Sequence, residues 1–110
     1  MEITEKNNEN CMIIGIQGRL DTISSTVLEK RLTELMDNQV SRIIVNCSQM
    51  DFISSSGLRT LLFALKRITQ AKGKMVICGL SENFHEIFAI SGFTQIFEIY
   101  PSEEEALSVF

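Results

Sequence analysis

The sequence is poor in the residues that build most catalytic and metal sites. Its 110 residues include no tryptophan, one tyrosine and one proline, Pro101. His85 is the sole histidine, so a histidine-based metal site or a Ser-His-Asp relay would depend on one residue without supporting neighbours. The three cysteines form no Cys-x-x-Cys pair, which leaves thioredoxin chemistry and zinc ribbons without support. We therefore expect no metal site and no bound cofactor.

Clustered basic residues and long apolar runs are also missing. Ten Lys and Arg stand against fourteen Asp and Glu, for a net charge of −4. Because nucleic-acid binding depends on clustered cations that displace counterions, we expect no direct contact with nucleic acid. No apolar run approaches the roughly 20 residues of a membrane-spanning helix, and the N-terminal residues lack the apolar core of a signal peptide. Cys11, Cys47 and Cys78 lie in apolar runs, as free thiols of a cytoplasmic protein do.

The chain has enough apolar residues for one ordinary core. Apolar residues make up 45% of the sequence and charged residues 22%, close to the average for globular proteins. We interpret residues 1–110 as a single domain. A domain of this size leaves little room for a deep substrate cleft, which favours a binding or regulatory module over an enzyme.

Charge is unevenly distributed in the second half of the chain. Residues 52–81 contain five basic residues and no acid, whereas residues 82–110 contain six glutamates and no Lys or Arg. Two solvated helix faces of opposite sign would account for this pattern. The alternative is a protein partner steered by these fields.

Apolar periodicity predicts alternating strands and helices. A short extended segment at Ile3 and a turn at residues 7–10 precede a strand over residues 11–17, which Gly18 ends. Further strands are predicted over residues 42–47, 75–78 and 96–99, and helices over residues 26–38, from 55 or 56 to 71, after Ser81, and after Ser102. The order β-β-α-β-α-β-α-β-α indicates an α/β fold with a largely parallel central sheet, one antiparallel edge strand and about four helices.

The most unusual segment is the one with three consecutive serines before a glycine. Ser54, Ser55 and Ser56 lie between a predicted buried strand and the most amphipathic helix, at the sheet edge where sites form in open α/β folds. N-capping accounts for one of these hydroxyls. Three of them, followed by Gly57, exceed what a cap needs, so we expect the glycine to permit the close approach of another molecule.

Phosphorylation is the chemistry that fits this segment best. A nucleophile elbow requires Gly-x-Ser-x-Gly, and a phosphate-binding loop requires Gly-Lys-Ser/Thr; the segment has neither. A phosphate on a first-turn serine would be stabilised by the positive end of the helix. It would also reverse the sign of the exposed surface.

Residues 53–59, Ile-Ser-Ser-Ser-Gly-Leu-Arg, resemble the signature of anti-sigma factor antagonists, the bacterial anti-anti-sigma factors built on the STAS domain. Upstream, residues 18–21 are similar to the Gly-x-Leu-Asp turn before the first helix of that family. Downstream, residues 73–79 and 88–93 resemble its Gly-x-x-hydrophobic strand and its Ser-Gly helix end. The resemblance covers nearly the whole chain and implies a STAS fold.

The resemblance implies a phosphorylation switch centred on Ser55, which aligns with the phosphoacceptor of the family; Ser54 stands where the family has aspartate. The unphosphorylated protein would bind an anti-sigma factor that is a serine kinase, and so release a sigma factor. The kinase would phosphorylate Ser55, and a PP2C-type phosphatase would reset it. ATP would belong to the kinase. The residues expected to bind the partner are Asp21, Ser54, Ser56, Gly57 and Arg59.

Asp21 is expected to act in this switch because parallel strands bring the connections that carry Asp21 and Ser55 to one sheet edge. Ser24 and Ser25 are the predicted caps of the first helix, which would leave Asp21 free.

Two other functions stay open from the sequence. A non-switching STAS module, such as the cytoplasmic subunit of a lipid-transport ABC system, would share the fold. A neighbouring gene for a permease would favour that function, and one for a kinase or a PP2C phosphatase would favour the switch. An esterase would need a base beside the serines, and His85 is the sole candidate at neutral pH.

Overall fold

A computed structural model describes all 110 residues of the chain and shows the predicted order of elements, with one added 3₁₀ turn. The five strands are β1 (Glu2–Asn8), β2 (Cys11–Leu20), β3 (Arg42–Ile53), β4 (Lys74–Cys78) and β5 (Ile99–Tyr100). The four α-helices are α1 (Thr22–Asp37), α2 (Ser55–Gln70), α3 (Glu82–Ile90) and α4 (Glu103–Leu107), and the 3₁₀ turn covers Phe93–Gln95.

The strands form one sheet in the order β1-β2-β3-β4-β5. β1 pairs antiparallel with β2, and every other pair is parallel, which confirms the predicted mixed sheet. Ile43 and Val45 of β3 face the larger core beneath α1, α2 and α3, whereas Ile44 faces a smaller core covered by α4. Helices therefore cover both faces of the sheet, which explains why the apolar run in β3 does not alternate.

The strands are longer than predicted at the edge where the serines lie. Gly18 was expected to end β2, but the strand continues to Leu20 through a register shift at Gly18, whose φ is +89°. β3 likewise continues past residue 47 to Ile53. The unbroken apolar runs of both strands end earlier, and the extensions place only single apolar residues in the core, namely Leu20, Met50 and Ile53, so hydrophobicity did not mark them as strand.

The last strand is present, but it is shorter and begins later than the predicted residues 96–99. Phe93 begins the 3₁₀ turn, and the strand covers only Ile99–Tyr100. The rings of Phe93 and Phe97 pack together with Phe88, at centroid distances of 5.6 to 6.0 Å. This aromatic cluster fixes the segment by packing, so the chain joins the sheet only after Phe97.

No helix of this protein is both long and apolar enough to cross a membrane.

The three cysteines are free and buried, and we predict that they are unreactive in the folded protein. Burial raises the pKa of Cys47 to about 12 and that of Cys78 to about 11, and it also raises the pKa of Cys11. Since the thiolate is the reactive form, a disulfide reagent at pH 8 should label none of them before unfolding and all three after it. Labelling of the native protein at the rate of a free thiol would contradict this.

Candidate functional site

The ends of β2 and β3 place Asp21 and Ser54 side by side. Leu20 pairs with Ile53 at the end of the parallel ladder, and the amide of Ser54 donates a 2.9 Å hydrogen bond to the Leu20 carbonyl. The next residue of each strand is the N-cap of a helix, Asp21 for α1 and Ser54 for α2. The two helix N-termini therefore emerge at one sheet edge, as expected for neighbouring parallel strands.

Asp21 caps α1, and this corrects the predicted start of the helix. Its Oδ1 accepts hydrogen bonds from the amide and the hydroxyl of Ser24, each at 2.9 Å, while the Asp21 amide donates to the Ser24 hydroxyl at 2.8 Å. This reciprocal capping box starts the helix at Thr22 rather than at residue 26. Ser24 is the third helical residue, and Ser25 is buried with its hydroxyl donating to the Thr22 carbonyl. Neither serine is the cap.

The capping bonds have a consequence at acid pH. The hydrogen bonds from Ser24, the backbone one foremost, lower the pKa of Asp21 below its ordinary value of 3.8. This carboxylate therefore stabilises the fold fully above pH 3.8 and loses its contribution as the pH falls through the lowered pKa. We predict that Asp21→Asn, which keeps an oxygen for the Ser24 amide, has a near-native melting temperature at pH 7 but lacks this part of the acid destabilisation. Melting curves across the acid range test this; parallel pH profiles for both proteins would contradict it.

The three serines have three different environments. Ser54 accepts the amide of Gly57 at 3.1 Å, as the cap of α2. Ser56 is half-buried, and its hydroxyl lies 3.4 Å from Thr22 Oγ1 and 3.4 Å from Arg59 Nη2. Ser55 is exposed, and its hydroxyl takes part in none of these contacts. Of the three, Ser55 is the one that is exposed, does not cap the helix and makes no side-chain contact with Thr22 or Arg59.

Gly57 is buried, and its missing side chain makes room for the protein's own core. A Cβ there would lie 2.8 Å from Leu20 Cγ and 3.1 Å from Ile53 Cγ1. The close approach that this glycine permits is thus the packing of α2 onto the ends of β2 and β3. Gly57 was expected to leave space for another molecule, but the space is filled by Leu20 and Ile53 of the same chain.

Arg59 lies on the rim of a groove between α1 and α2. This groove of about 480 Å³ is lined by Thr22, Ser25, Thr26, Glu29, Ser56, Arg59, Thr60, Leu62, Phe63 and Lys66. The buried Thr60 hydroxyl of α2 donates a 3.4 Å hydrogen bond to the Ser25 carbonyl of α1 and so links the two helices. Eight of the ten lining residues are polar or charged, and Ser56, which follows the exposed Ser55, is one of them.

The sequence analysis did not identify three exposed apolar side chains on α1 and α2. Ile23 is 81% exposed, Val27 55% and Phe63 50%. Phe63 lines the groove, and the other two lie four residues apart on one face of α1. The sequence did contain a signal for this surface: Ile23 and Val27 form an apolar i, i+4 pair outside the buried stripe that contains Leu28 and Leu32. Large apolar residues exposed together mark an interaction surface.

Asp21 and Ser55 share the sheet edge, but the bonds of the Asp21 carboxylate run to Ser24. Arg19, two residues before Asp21, stacks its guanidinium 4.0 Å from the centroid of the Phe52 ring. This edge carries the exposed Ser55 in the first turn of α2, and Arg59 lies one turn further along the same helix. Such a surface suits docking and modification. The protein has no group of three or more His, Cys, Asp or Glu side chains that could hold a metal ion.

Comparison with known proteins gives one consistent family. Residues 2–106 match the STAS domain family. The Bordetella bronchiseptica protein BtrV, assigned as an anti-sigma factor antagonist, is 33% identical over 110 residues, which cover 100% of this chain and 95% of BtrV. The anti-sigma F factor antagonist of Paenibacillus polymyxa is 28% identical and covers 98% of this chain and 93% of its own length.

Solved structures agree on the fold. An anti-sigma factor antagonist from Mycobacterium paratuberculosis superposes with a TM-score of 0.89 at 16% identity, covering 98% of this chain and 92% of its own. The antagonist SpoIIAA in its unphosphorylated form gives a TM-score of 0.77 at 19% identity, covering 97% and 96% of the two chains. The sheet order, the serine-bearing helix start and the match over residues 2–106 therefore lead to one conclusion: the chain belongs to the STAS domain family, among relatives that are anti-sigma factor antagonists.

Proposed function

We propose that this protein is an anti-sigma factor antagonist whose binding to an anti-sigma factor is switched off by phosphorylation of Ser55. The observation that supports this best is the exposed Ser55 hydroxyl in the first turn of α2, in a chain whose relatives are antagonists over its full length. The protein is a regulatory binding module in this proposal, and the chemistry is supplied by its partners. Its place of action is the cytoplasm, where sigma factors meet RNA polymerase.

The kinase in this proposal is the anti-sigma factor itself. The Ser55 oxygen attacks the γ-phosphorus of ATP held by the kinase; an O–P bond forms, the bond to the bridging oxygen breaks, and ADP leaves. The hydroxyl proton passes to a base of the kinase. A PP2C-type phosphatase then hydrolyses the phosphoserine with water, which returns serine and inorganic phosphate. Ser55 is preferred to Ser54 in this proposal, because the Ser54 oxygen accepts the Gly57 amide as the cap of α2 and its reaction would disturb that cap.

The docking surface in this proposal joins the helix start to the exposed apolar side chains. Ile23, Val27 and Phe63 would supply the apolar contact, and Ser56 and Arg59 would supply polar contacts beside Ser55. A phosphate adds roughly two negative charges and three oxygens at this surface. Because a charged phosphate is costly to remove from water, it opposes the binding of a partner that had packed against the neutral hydroxyl.

Asp21 has a dual role in this proposal. As the cap it fixes the start of α1, and its carboxylate adds a negative charge at the edge that carries Ser55. Such a charge can help position a metal ion bound to the kinase and would repel the finished phosphate. Asp21→Asn keeps the cap oxygen, so we predict a slower phosphorylation of Ser55 without loss of folding. A rate equal to that of the wild-type protein would limit Asp21 to capping.

Binding and release of the anti-sigma factor test the proposed function. The unmodified protein, mixed with its anti-sigma factor, should form a complex by size-exclusion chromatography and restore transcription by the inhibited sigma factor. Ile23→Ser is the matched surface variant: it removes an 81% exposed apolar side chain and should weaken the complex without lowering the melting temperature. Complex formation with a transporter ATPase instead of an anti-sigma factor would contradict the proposal.

A further inference from the structure

Arg59 is a charged side chain with no ionic partner. The ion pairs of the protein join Lys6 to Glu103, Arg31 to Glu5, Arg67 to Asp37 and Lys74 to Glu98. Arg59 is in none of them. Its one side-chain hydrogen bond goes to the Ser56 hydroxyl and is long, at 3.4 Å. The guanidinium thus has most of its donors free beside a proposed phosphoacceptor.

The position of Arg59 on α2 directs it toward Ser55. The two residues are four apart, which places them one above the other on the same helix face. Long helical side chains lean toward the N-terminus of their helix, so the later residue of such a pair reaches back over the earlier one. The contact between Arg59 Nη2 and Ser56 shows this lean. Anion first and cation four residues later is also the more favourable order on a helix.

The surroundings leave Arg59 available for an anion. Residues 52–81 contain no acidic side chain. Across the groove, Glu29 of α1 lines the same space, together with Lys66 of α2, and Arg59 forms no ion pair with that carboxylate. At the sheet edge the charged neighbours are Arg19 and Asp21, and the Asp21 carboxylate is bonded to Ser24. A new anion on Ser55 would meet a free arginine one turn away.

We propose that Arg59 is an intramolecular phosphate clamp: once Ser55 is phosphorylated, the guanidinium leaves Ser56 and forms a bidentate pair with the phosphate. This proposal rests on the proposed role of Ser55. Guanidinium and phosphate match in a two-bond geometry that lysine cannot reproduce. The clamp gives the switch a second component, because phosphorylation then adds an anion and also withdraws the Arg59 cation from the partner.

The acidity of the phosphate reports the clamp directly. Phosphoserine can be placed at position 55 during translation by stop-codon suppression, which makes the test independent of any kinase. The second pKa of the phosphate, ordinarily about 6, is then followed by ³¹P NMR across pH 5 to 8. We expect Arg59→Gln to raise this pKa by about 0.5, since an adjacent cation favours the dianion. Arg59→Lys should give an intermediate value.

Lys66→Gln is the matched control. It removes the same charge from the same helix, seven residues or about 10 Å further along, and should leave the phosphate pKa unchanged. Equal pKa values for Arg59→Gln and the unsubstituted phosphoprotein would overturn the clamp. An equal rise for Lys66→Gln would also overturn it, because the effect would then be one of general charge. If the clamp is found but phosphoserine at 55 leaves anti-sigma factor binding intact, the proposed function fails while the clamp stands.

Discussion

Ser55→Asp is expected to weaken anti-sigma factor binding on the order of 100-fold, whereas Ser55→Ala should bind as the wild-type protein does. A carboxylate at this position stays hydrated and charged where the partner packs, while alanine removes only an exposed hydroxyl. Isothermal titration calorimetry with the anti-sigma factor measures the dissociation constants of both variants.

Ser55→Asn is the control for size and polarity in that experiment. It has the shape of aspartate without the charge, so a loss seen with aspartate and absent with asparagine is electrostatic. Equal losses for the two would assign the effect to steric hindrance and contradict a charge-driven switch. Raising the salt concentration should recover part of the binding lost by the aspartate variant.

Gly57→Val is expected to lower the melting temperature by several degrees, corresponding to about 2 kcal/mol of lost stability. The new Cβ would be forced to within 2.8 Å of Leu20 Cγ at a place where helix and sheet meet without a gap. Gly57→Ala introduces the same clash but gains about 1 kcal/mol of helix propensity, so its net effect is smaller. Thermal denaturation followed by circular dichroism separates the two variants.

Gln70→Val provides the comparison for Gly57→Val. It places the same β-branched residue at an exposed site of the same helix and should change the melting temperature by little. Normal stability of Gly57→Val together with lost partner binding would show that this glycine faces the partner. That result would contradict the packing described here.

The order of elements could be predicted because each one has a local pattern. The stripe of Leu58, Leu61 and Ile68 defines α2, and the unbroken run Ile43, Ile44 and Val45 defines a strand buried on both sides. The extensions of β2 and β3 could not be predicted, because their buried residues Leu20, Met50 and Ile53 are isolated in the sequence and the strands are continued by ladder pairing with each other. That pairing is a tertiary effect with no signal in either segment alone.

The candidate site was located from the sequence, but the roles of two of its residues changed. Asp21 was expected to be free of capping, since three other hydroxyls follow it; the capping box with Ser24 is visible only once the helix start is known. Gly57 was associated with a partner because it follows the serines, yet the nearest atoms belong to Leu20, 37 residues earlier. Contacts of such sequence separation are outside the reach of a local pattern.

The central claim, that Ser55 is the phosphoacceptor, is tested most directly by a phosphorylation assay with the proposed kinase, the anti-sigma factor. The purified chain is incubated with that kinase and ATP, and the product is digested and mapped by tandem mass spectrometry. A single phosphate on Ser55, lost entirely in Ser55→Ala, is the predicted result. A phosphate on Ser54 or Ser56, or none under conditions in which the two proteins form a complex, would contradict it.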